Sequence, residues 1–453
     1  MQLMSPLDAM HLLAESREHP MHVAALQLFT PPQGAGRRFA RDTYEAMLAS
    51  DHVQPAFRKH PSTVLGGISN LGWSYDDDIE LDYHVRRSAL PTPGRVRDLL
   101  ELTSRLHGSL LDRHRPLWEA HLIEGLRDGR FAVYIKLHHA LVDGVSGLRL
   151  IQRALSTDPT DSRIRTPWSL PSLHTQHQSD PQTRLRAVTR AVESLARLGP
   201  STLSLGRAAL IDQQLTLPFR APRTMFNVPI GGARRCAAQS WPLERVKNVK
   251  NAAGVSVNDV VLAMCAGALR AYLLDHSELP SAPLIAMVPV SLRTDNDAEG
   301  GNMVGAVLCN LATHLDDPAQ RLHTIHTSMR DNKDVFSQLP RAHALALSML
   351  MVAPAAALGA VPGFQSVTPP PFNVVISNVP GVRQPLYLNG ARQDGNYPLS
   401  IPLDGQALNF TLANNADNLD FGLVGCRRTV PHLQRLLGYL ETSLKDLERA
   451  VGI

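Results

Sequence analysis

Only four cysteines occur in 453 residues, Cys236, Cys265, Cys309 and Cys426, and they are scattered with no CxxC pair. This leaves no signal for a disulfide framework or a cysteine-based zinc site, and reduced thiols in a cytosolic protein are the simple reading. The opening stretch, Met1 to Pro20, carries Asp8, Glu15, Arg17 and Glu18 among its apolar residues, which is not the pattern of a secretory signal. Long apolar runs are also scarce. The best one, Ala344 to Val361, has eighteen residues without a charge but is broken by Pro354. A spanning helix needs about 20 predominantly apolar residues, so a buried, tunnel-lining or surface-dipping segment is the better expectation. Charge of one sign is missing too. Forty-five Lys and Arg face 41 Asp and Glu, and a net +4 over this length does not argue for nucleic acid. It suits light attraction to an anionic membrane or to cofactor phosphates.

Several catalytic signatures are absent. No P-loop and no G-x-G-x-x-G dinucleotide loop occurs. No G-x-S-x-G elbow lies near a useful histidine; Gly144-Val145-Ser146-Gly147 is close but wrongly spaced.

What is present is a globular composition, 44% hydrophobic and 19% charged, in a chain too long for one ordinary core. Phe131 to Leu137 alternates as a strand, with Val133 and Ile135 on one face and Tyr134 and Lys136 on the other. His138, His139 and a short turn follow. A helix then starts near Asp143 and Gly144 with Leu148, Ile151 and Leu155 along one side. Ser156 to Gln182 is polar and Pro-rich and reads as a flexible linker. A basic amphipathic segment follows, with arginines at 184, 186, 190 and 197. The second half begins near Phe226. Ser256 and Asp259 form a capping-box start for a helix over Asn258 to Leu274 that is apolar nearly all round, hence buried. Leu284 to Val290, Phe372 to Ser377, Phe410 to Leu412 and Leu419 to Val424 read as strands, with a turn at Ser377-Asn378-Val379-Pro380-Gly381. An amphipathic helix over Val430 to Val451 closes the chain. Strands alternating with helices in both halves predict an α/β or α+β protein of two lobes, 1–182 and 226–453, joined by connecting helices over 183–225.

The densest chemistry is His138-His139-Ala140-Leu141-Val142-Asp143-Gly144. Imidazole takes and returns a proton near neutral pH. Asp143 could hold the turn, and Gly144 could let the backbone pass close to a neighbour. Taken alone the pattern also fits a buried histidine pair, an Asp143 helix cap, or a metal site. Adjacent residues at a strand end point to opposite faces, however, which disfavours chelation of one ion by both histidines. With no cysteine beside the histidines, the chemistry reads as a lone histidine base acting on a hydroxyl without a covalent intermediate.

This motif is the HHxxxDG signature of coenzyme A-dependent acyltransferases, a superfamily that includes peptide-synthesising condensation domains. Further segments resemble bacterial wax ester synthase/diacylglycerol acyltransferases: Pro20-Met21-His22-Val23, Arg115-Pro116-Leu117-Trp118-Glu119, Asn258-Asp259-Val260-Val261-Leu262-Ala263, Gly301-Asn302-Met303-Val304-Gly305 and Ser377-Asn378-Val379-Pro380-Gly381. They follow the family's order. The Asp-Phe-Gly-Trp-Gly segment of plant-type relatives is absent. The resemblance implies two chloramphenicol acetyltransferase-like lobes, mixed sheets flanked by helices, and a tunnel between them. It implies His139 as the base, His138 as its support, and Asp143 orienting the turn by pairing across the lobes with Arg293. Asn258 would help position substrate, and Pro116, Leu117, Trp118, Ser377 and Asn378 would lie along the tunnel. It implies acyl-coenzyme A as co-substrate with no bound cofactor or metal, and diacylglycerol or a long-chain fatty alcohol as acceptor. A peripheral place on the inner membrane face or on lipid droplets goes with such an acceptor. A condensation-type enzyme using a carrier-protein thioester, or a non-catalytic lipid-droplet protein, are the alternatives.

Overall fold

A computed structural model describes residues 2–50, 52–64, 69–142, 144–171, 216, 218–291, 304–338 and 368–453. Asp143, Arg293, Gly301 to Met303, the basic segment with its four arginines and the uncharged run at 344–361 lie outside the described residues.

Two six-stranded mixed sheets form the body. The first runs β12 (Tyr387–Leu388), β13 (Ala391–Leu399), β2 (His22–Thr30), β7 (Phe131–His138), β6 (Trp118–Glu124), β5 (Val85–Ala89). The second runs β10 (Val304–Asn310), β9 (Ile285–Ser291), β11 (Val374–Val382), β14 (Leu408–Asn415), β15 (Asn418–Cys426), β8 (Arg234–Pro242). A small antiparallel sheet of β1 (Gln2–Leu3), β4 (Ser69–Tyr75) and β3 (Lys59–Val64) lies beside the first. Helices α1 (Pro6–Ala14), α2 (Phe39–Leu48), α3 (Leu81–His84), α4 (Val96–Gly108) and α5 (Gly144–Arg153) belong to the first half of the chain. The second half contributes α6 (Leu243–Ala253), α7 (Val257–Asp275), α8 (Pro318–Gln338) and α9 (Arg435–Ala450).

β7 is central and buried along its whole length, with antiparallel neighbours on both sides. Its alternation sorts the core: Val133, Ile135 and Leu137 pack with Leu148 and Ile151 of α5, while Ala132 and Tyr134 pack with Leu26 and Leu99 on the other face. In the second lobe the centre is α7. Ser256 caps it, accepting from the Asp259 N–H at 3.2 Å while Asp259 Oδ2 accepts from the Ser256 N–H at 2.9 Å. Val260, Leu262, Met264 and Leu269 are wholly buried, so α7 needs partners all round and finds them in α8, α9 and the sheet. It is also long and apolar enough to cross a membrane, but here it is a core helix.

The chain crosses between lobes in a way its linear order conceals. β12 and β13 come from the second half yet extend the first-half sheet, β13 pairing with β2 from Arg392↔Thr30 to Leu399↔Ala24. Asp420 of β15 reaches back and accepts from the Asn396 N–H of β13 at 2.6 Å. Val379 of β11 and Ala413 of β14 join the core cluster of the first lobe.

Two local expectations need correction. The described part of the expected linker, 156–171, is packed. Ser156 exchanges backbone hydrogen bonds with Tyr387, and Trp168 is fully buried. Its polar composition hides apolar anchors at Ile164, Trp168 and Leu170. The segment Ser377 to Gly381 is not a turn. β11 runs on through it to Val382, with a register shift between Val379 and Val382 that absorbs the Pro-Gly pair.

Candidate active site

The histidine turn hangs from the end of β7 by backbone bonds. His138 N–H donates to Leu117 O at 3.0 Å, His139 N–H to Met21 O at 2.8 Å, and Leu141 N–H to His138 O at 2.9 Å. The Pro20-Met21-His22 and Pro116-Leu117-Trp118 segments thus clamp the turn from both flanking strands. Because side chains alternate at a strand end, the two rings part. His138 is wholly buried and His139 only partly.

His138 Nδ1 accepts from the Ala140 N–H at 3.1 Å, which leaves the ring proton on Nε2. Nε2 lies 3.2 Å from Glu15 Oε1, an electrostatic contact off the ideal hydrogen-bond line. Glu15 follows α1 directly. It accepts from Arg113 Nε at 3.0 Å and from the Met21 N–H at 3.3 Å. Burial alone would raise this carboxyl, but His138, the Met21 N–H and Arg113 outweigh it and hold Glu15 below the usual carboxylate range. His138 therefore braces the turn, and a buried carboxylate with its own arginine braces His138.

A second polar group lies behind the same face of β7. Lys136 Nζ donates to Leu106 O and Ser109 O at 3.2 and 3.0 Å and sits 3.3 Å from Glu119 Oε2. Burial would raise Glu119, but His121, Lys136 and Arg86 pull it down to about 2. Burial pushes His107 down to about 3 and lowers His22 well below its ordinary value, so both are neutral near pH 7. These groups hold strand β7 rather than reach toward His139.

His139 faces the other way. Its ring stacks on that of His11 in α1. After the turn comes α5, which packs against β11, the strand bearing Ser377 and Asn378. Both of those residues are half-buried at this junction. The site is thus built where the first lobe's central strand ends against the second lobe.

The structure places the other expected site residues as follows. An added Cβ at Gly144 would meet nothing within 4 Å among the described residues. A close approach is present at Gly381, where a Cβ would come 1.9 Å from Asn414 O. Pro116, Leu117 and Trp118 are buried. Trp118 is stacked between His84 and Trp168, and its Nε1–H donates to Phe57 O at 2.8 Å. Asn258 is half-buried in the first turn of α7, beside Asp259, whose Oδ2 also meets His326 Nδ1 at 2.8 Å. No described contact joins Asn258 to His139. Among the described residues no group of three or more His, Cys, Asp or Glu could hold a metal.

Glu15, Arg113 and His11 are the site residues that sequence reasoning missed. In the sequence Glu15 stands out only as a charge within the opening apolar stretch. Burial pushes the Cys236 and Cys309 thiols up to about 12, and Cys265 higher still, which suits none of them as nucleophiles. Cys426 is drawn the other way. Burial raises it, but Thr429 and backbone N–H groups prevail, and its thiol is held against Gly231.

Residues 4–261 match the wax ester synthase/diacylglycerol acyltransferase catalytic domain, and residues 300–448 match the C-terminal domain of the same enzymes. A Mycobacterium tuberculosis protein with the provisional name diacylglycerol O-acyltransferase is 68% identical over 450 residues, covering 99% of this chain and all of that one. The solved wax ester synthase/diacylglycerol acyltransferase from Marinobacter aquaeolei VT8 superposes with a TM-score of 0.79 at 40% identity over the full length of both chains. The first condensation domain of the CDA synthetase shares the fold at 15% identity, with a TM-score of 0.58 over 99% of this chain and 96% of that one.

Proposed function

The chain belongs to the wax ester synthase/diacylglycerol acyltransferase family of acyltransferases, and from that premise we propose that it moves a long-chain acyl group from coenzyme A to the hydroxyl of diacylglycerol, or of a long-chain fatty alcohol, with His139 as general base. The observation that carries this reading is the division of labour in the histidine pair. His138 is buried against Glu15, while His139 is turned outward from the same strand end.

His139 takes the acceptor's hydroxyl proton as the oxygen attacks the thioester carbonyl. The C–O bond forms and a tetrahedral oxyanion results. Asn258 or a backbone N–H near the turn would donate to it. The intermediate then expels the coenzyme A thiolate, which receives the proton held on His139. Such base catalysis is worth about 10²–10⁴-fold, and holding two large substrates together supplies much of the rest. No cofactor or metal is needed for these steps. Cys236, Cys265 and Cys309 are buried with raised thiols, which supports direct transfer over an acyl-enzyme on any of these three. Asp143 and Arg293 are proposed to pair across the lobes.

Diacylglycerol is the favoured acceptor, and an acceptor that lives in lipid implies a peripheral place on the inner membrane face or on droplets. The arginines at 184, 186, 190 and 197 and the apolar run at 344–364 would supply the contacts. The test is a product assay with labelled acyl-coenzyme A, no carrier protein, and diacylglycerol and hexadecanol in competition. Labelled triacylglycerol in excess over wax ester is expected. Transfer only when a carrier protein is supplied would overturn the coenzyme A reading. A covalent acyl-protein trapped from acyl-coenzyme A alone would overturn direct transfer.

A further inference from the structure

The ring of His11, in the last turn of α1, lies over the ring of His139 with centroids 4.5 Å apart and planes 12° from parallel. This contact is built rather than incidental. Arg113 ties α1 down, donating to Leu12 O at 2.8 Å and to Glu15 Oε2 at 3.0 Å. Ala9 and Leu12, on either side of His11, pack in one cluster with Ala140 and Leu117 of the turn and its clamp. The element that braces His138 through Glu15 therefore also lays an imidazole on His139.

We propose that His11 is a positioning residue for the base: its stack sets the plane of the His139 ring and takes up the proton that would otherwise silence the base as the medium acidifies. The inference rests on His139 being the base. Two imidazoles have nearly equal ordinary proton affinities, close to pH 6.5. Stacked this closely they cannot both be charged without repulsion, so they titrate as a coupled pair, in two steps. The first proton from solvent is shared between the rings, and some of the molecules keep His139 neutral with the charge on His11. Other ionisable groups on the packed elements are Asp8 and Glu15 at the two ends of α1, Arg113, His138, Lys59 of β3 and Tyr75 of β4. Glu15 is committed to His138 and Arg113. Asp143 lies outside the described residues.

The test uses the full-length protein with ¹³C-labelled histidine Cε1, the His139 signal being assigned by its loss in His139→Gln. In the wild type His139 should titrate over a broad range. In His11→Phe, which keeps a ring to stack but cannot take a proton, it should titrate in one sharper step about half to one pH unit higher. The reciprocal is expected as well: the His11 signal should move up in His139→Gln. In turnover, the acid limb of kcat/KM should move up with His11→Phe. His11→Ala should lower kcat about tenfold with little change in KM, and His11→Phe should recover most of that loss. Superimposable His139 titrations in the wild type and His11→Phe, or an unmoved His11 signal in His139→Gln, would overturn the proposal. If the His139 titration moved and the acid limb did not, the base reading itself would fall, and the role of His11 with it.

Discussion

At the scale of single residues, the two adjacent histidines divide the work by geometry alone. A strand end sends one ring into the core and the other out. What His138 needs inside is a partner for its Nε2–H, and the Glu15 carboxylate lies 3.2 Å from that nitrogen. Glu15→Ala should cost about 1–3 kcal/mol in denaturant unfolding at pH 7, because it removes the buried carboxylate that accepts from Arg113 and leaves the buried Met21 N–H without its acceptor. The pH dependence has a definite sign. Glu15 is held below its ordinary value, so its contribution is complete above about pH 4.3 and is lost as pH falls through the lower folded value. The stability gap between wild type and Glu15→Ala should therefore narrow as pH falls below about 4.3, and a gap that stays constant through the acid range would contradict the bracing role. His139 was legible in the sequence because HHxxxDG is a contiguous pattern. Glu15, Arg113 and His11 were not, because their link to His138 and His139 exists only once α1 folds beneath a strand that arrives more than a hundred residues later.

At the scale of elements, local rules predicted what depends on local rules. The capping box at Ser256 and Asp259 stands where the spacing put it, and Ser256→Ala should cost about 1 kcal/mol in thermal unfolding. β7 alternates as read, down to Lys136 on the face opposite Val133 and Ile135. The Pro-Gly pair at the end of β11 misled, because turn residues also serve a bulge, and composition does not separate the two. The structure supplies the reason for its glycine. With Asn414 O at 1.9 Å from an added Cβ, Gly381→Ala must push β11 away from β14. A loss of about 1–3 kcal/mol is expected. Turnover should fall with it, since β11 packs on the helix that follows the histidine turn. Stability and kcat both unchanged in Gly381→Ala would show that this close approach is not needed.

At the scale of the whole molecule, alternating strands and helices made two lobes legible, but not the strand exchange between them. β13 belongs to the first sheet although it lies between strands of the second, and long-range pairing of that kind leaves no local signal. The junction carries a buried charge. Burial raises Asp420 to about 6, its bonds to Ser240, the Asn396 N–H and Asn415 offsetting only part of that. A carboxyl whose folded value is raised binds a proton more tightly in the folded state. Its contribution is complete below about pH 3.9 and is lost as pH rises through about 6. Above that it opposes folding by roughly 2–3 kcal/mol. Asp420→Asn should remove this slope, so its stability relative to wild type should improve between pH 4 and pH 7. Denaturation midpoints across that range would check it, and a constant difference would contradict the raised value.

The central claim is that one outward-facing imidazole does the chemistry on a scaffold that survives without it. The direct measurement is the turnover of His139→Ala with acyl-coenzyme A and diacylglycerol, alongside the affinity of the same variant for acyl-coenzyme A. Turnover should fall by about 10²-fold or more while affinity and thermal midpoint stay near wild type. A folded His139→Ala enzyme that keeps more than a few per cent of wild-type turnover would contradict the account.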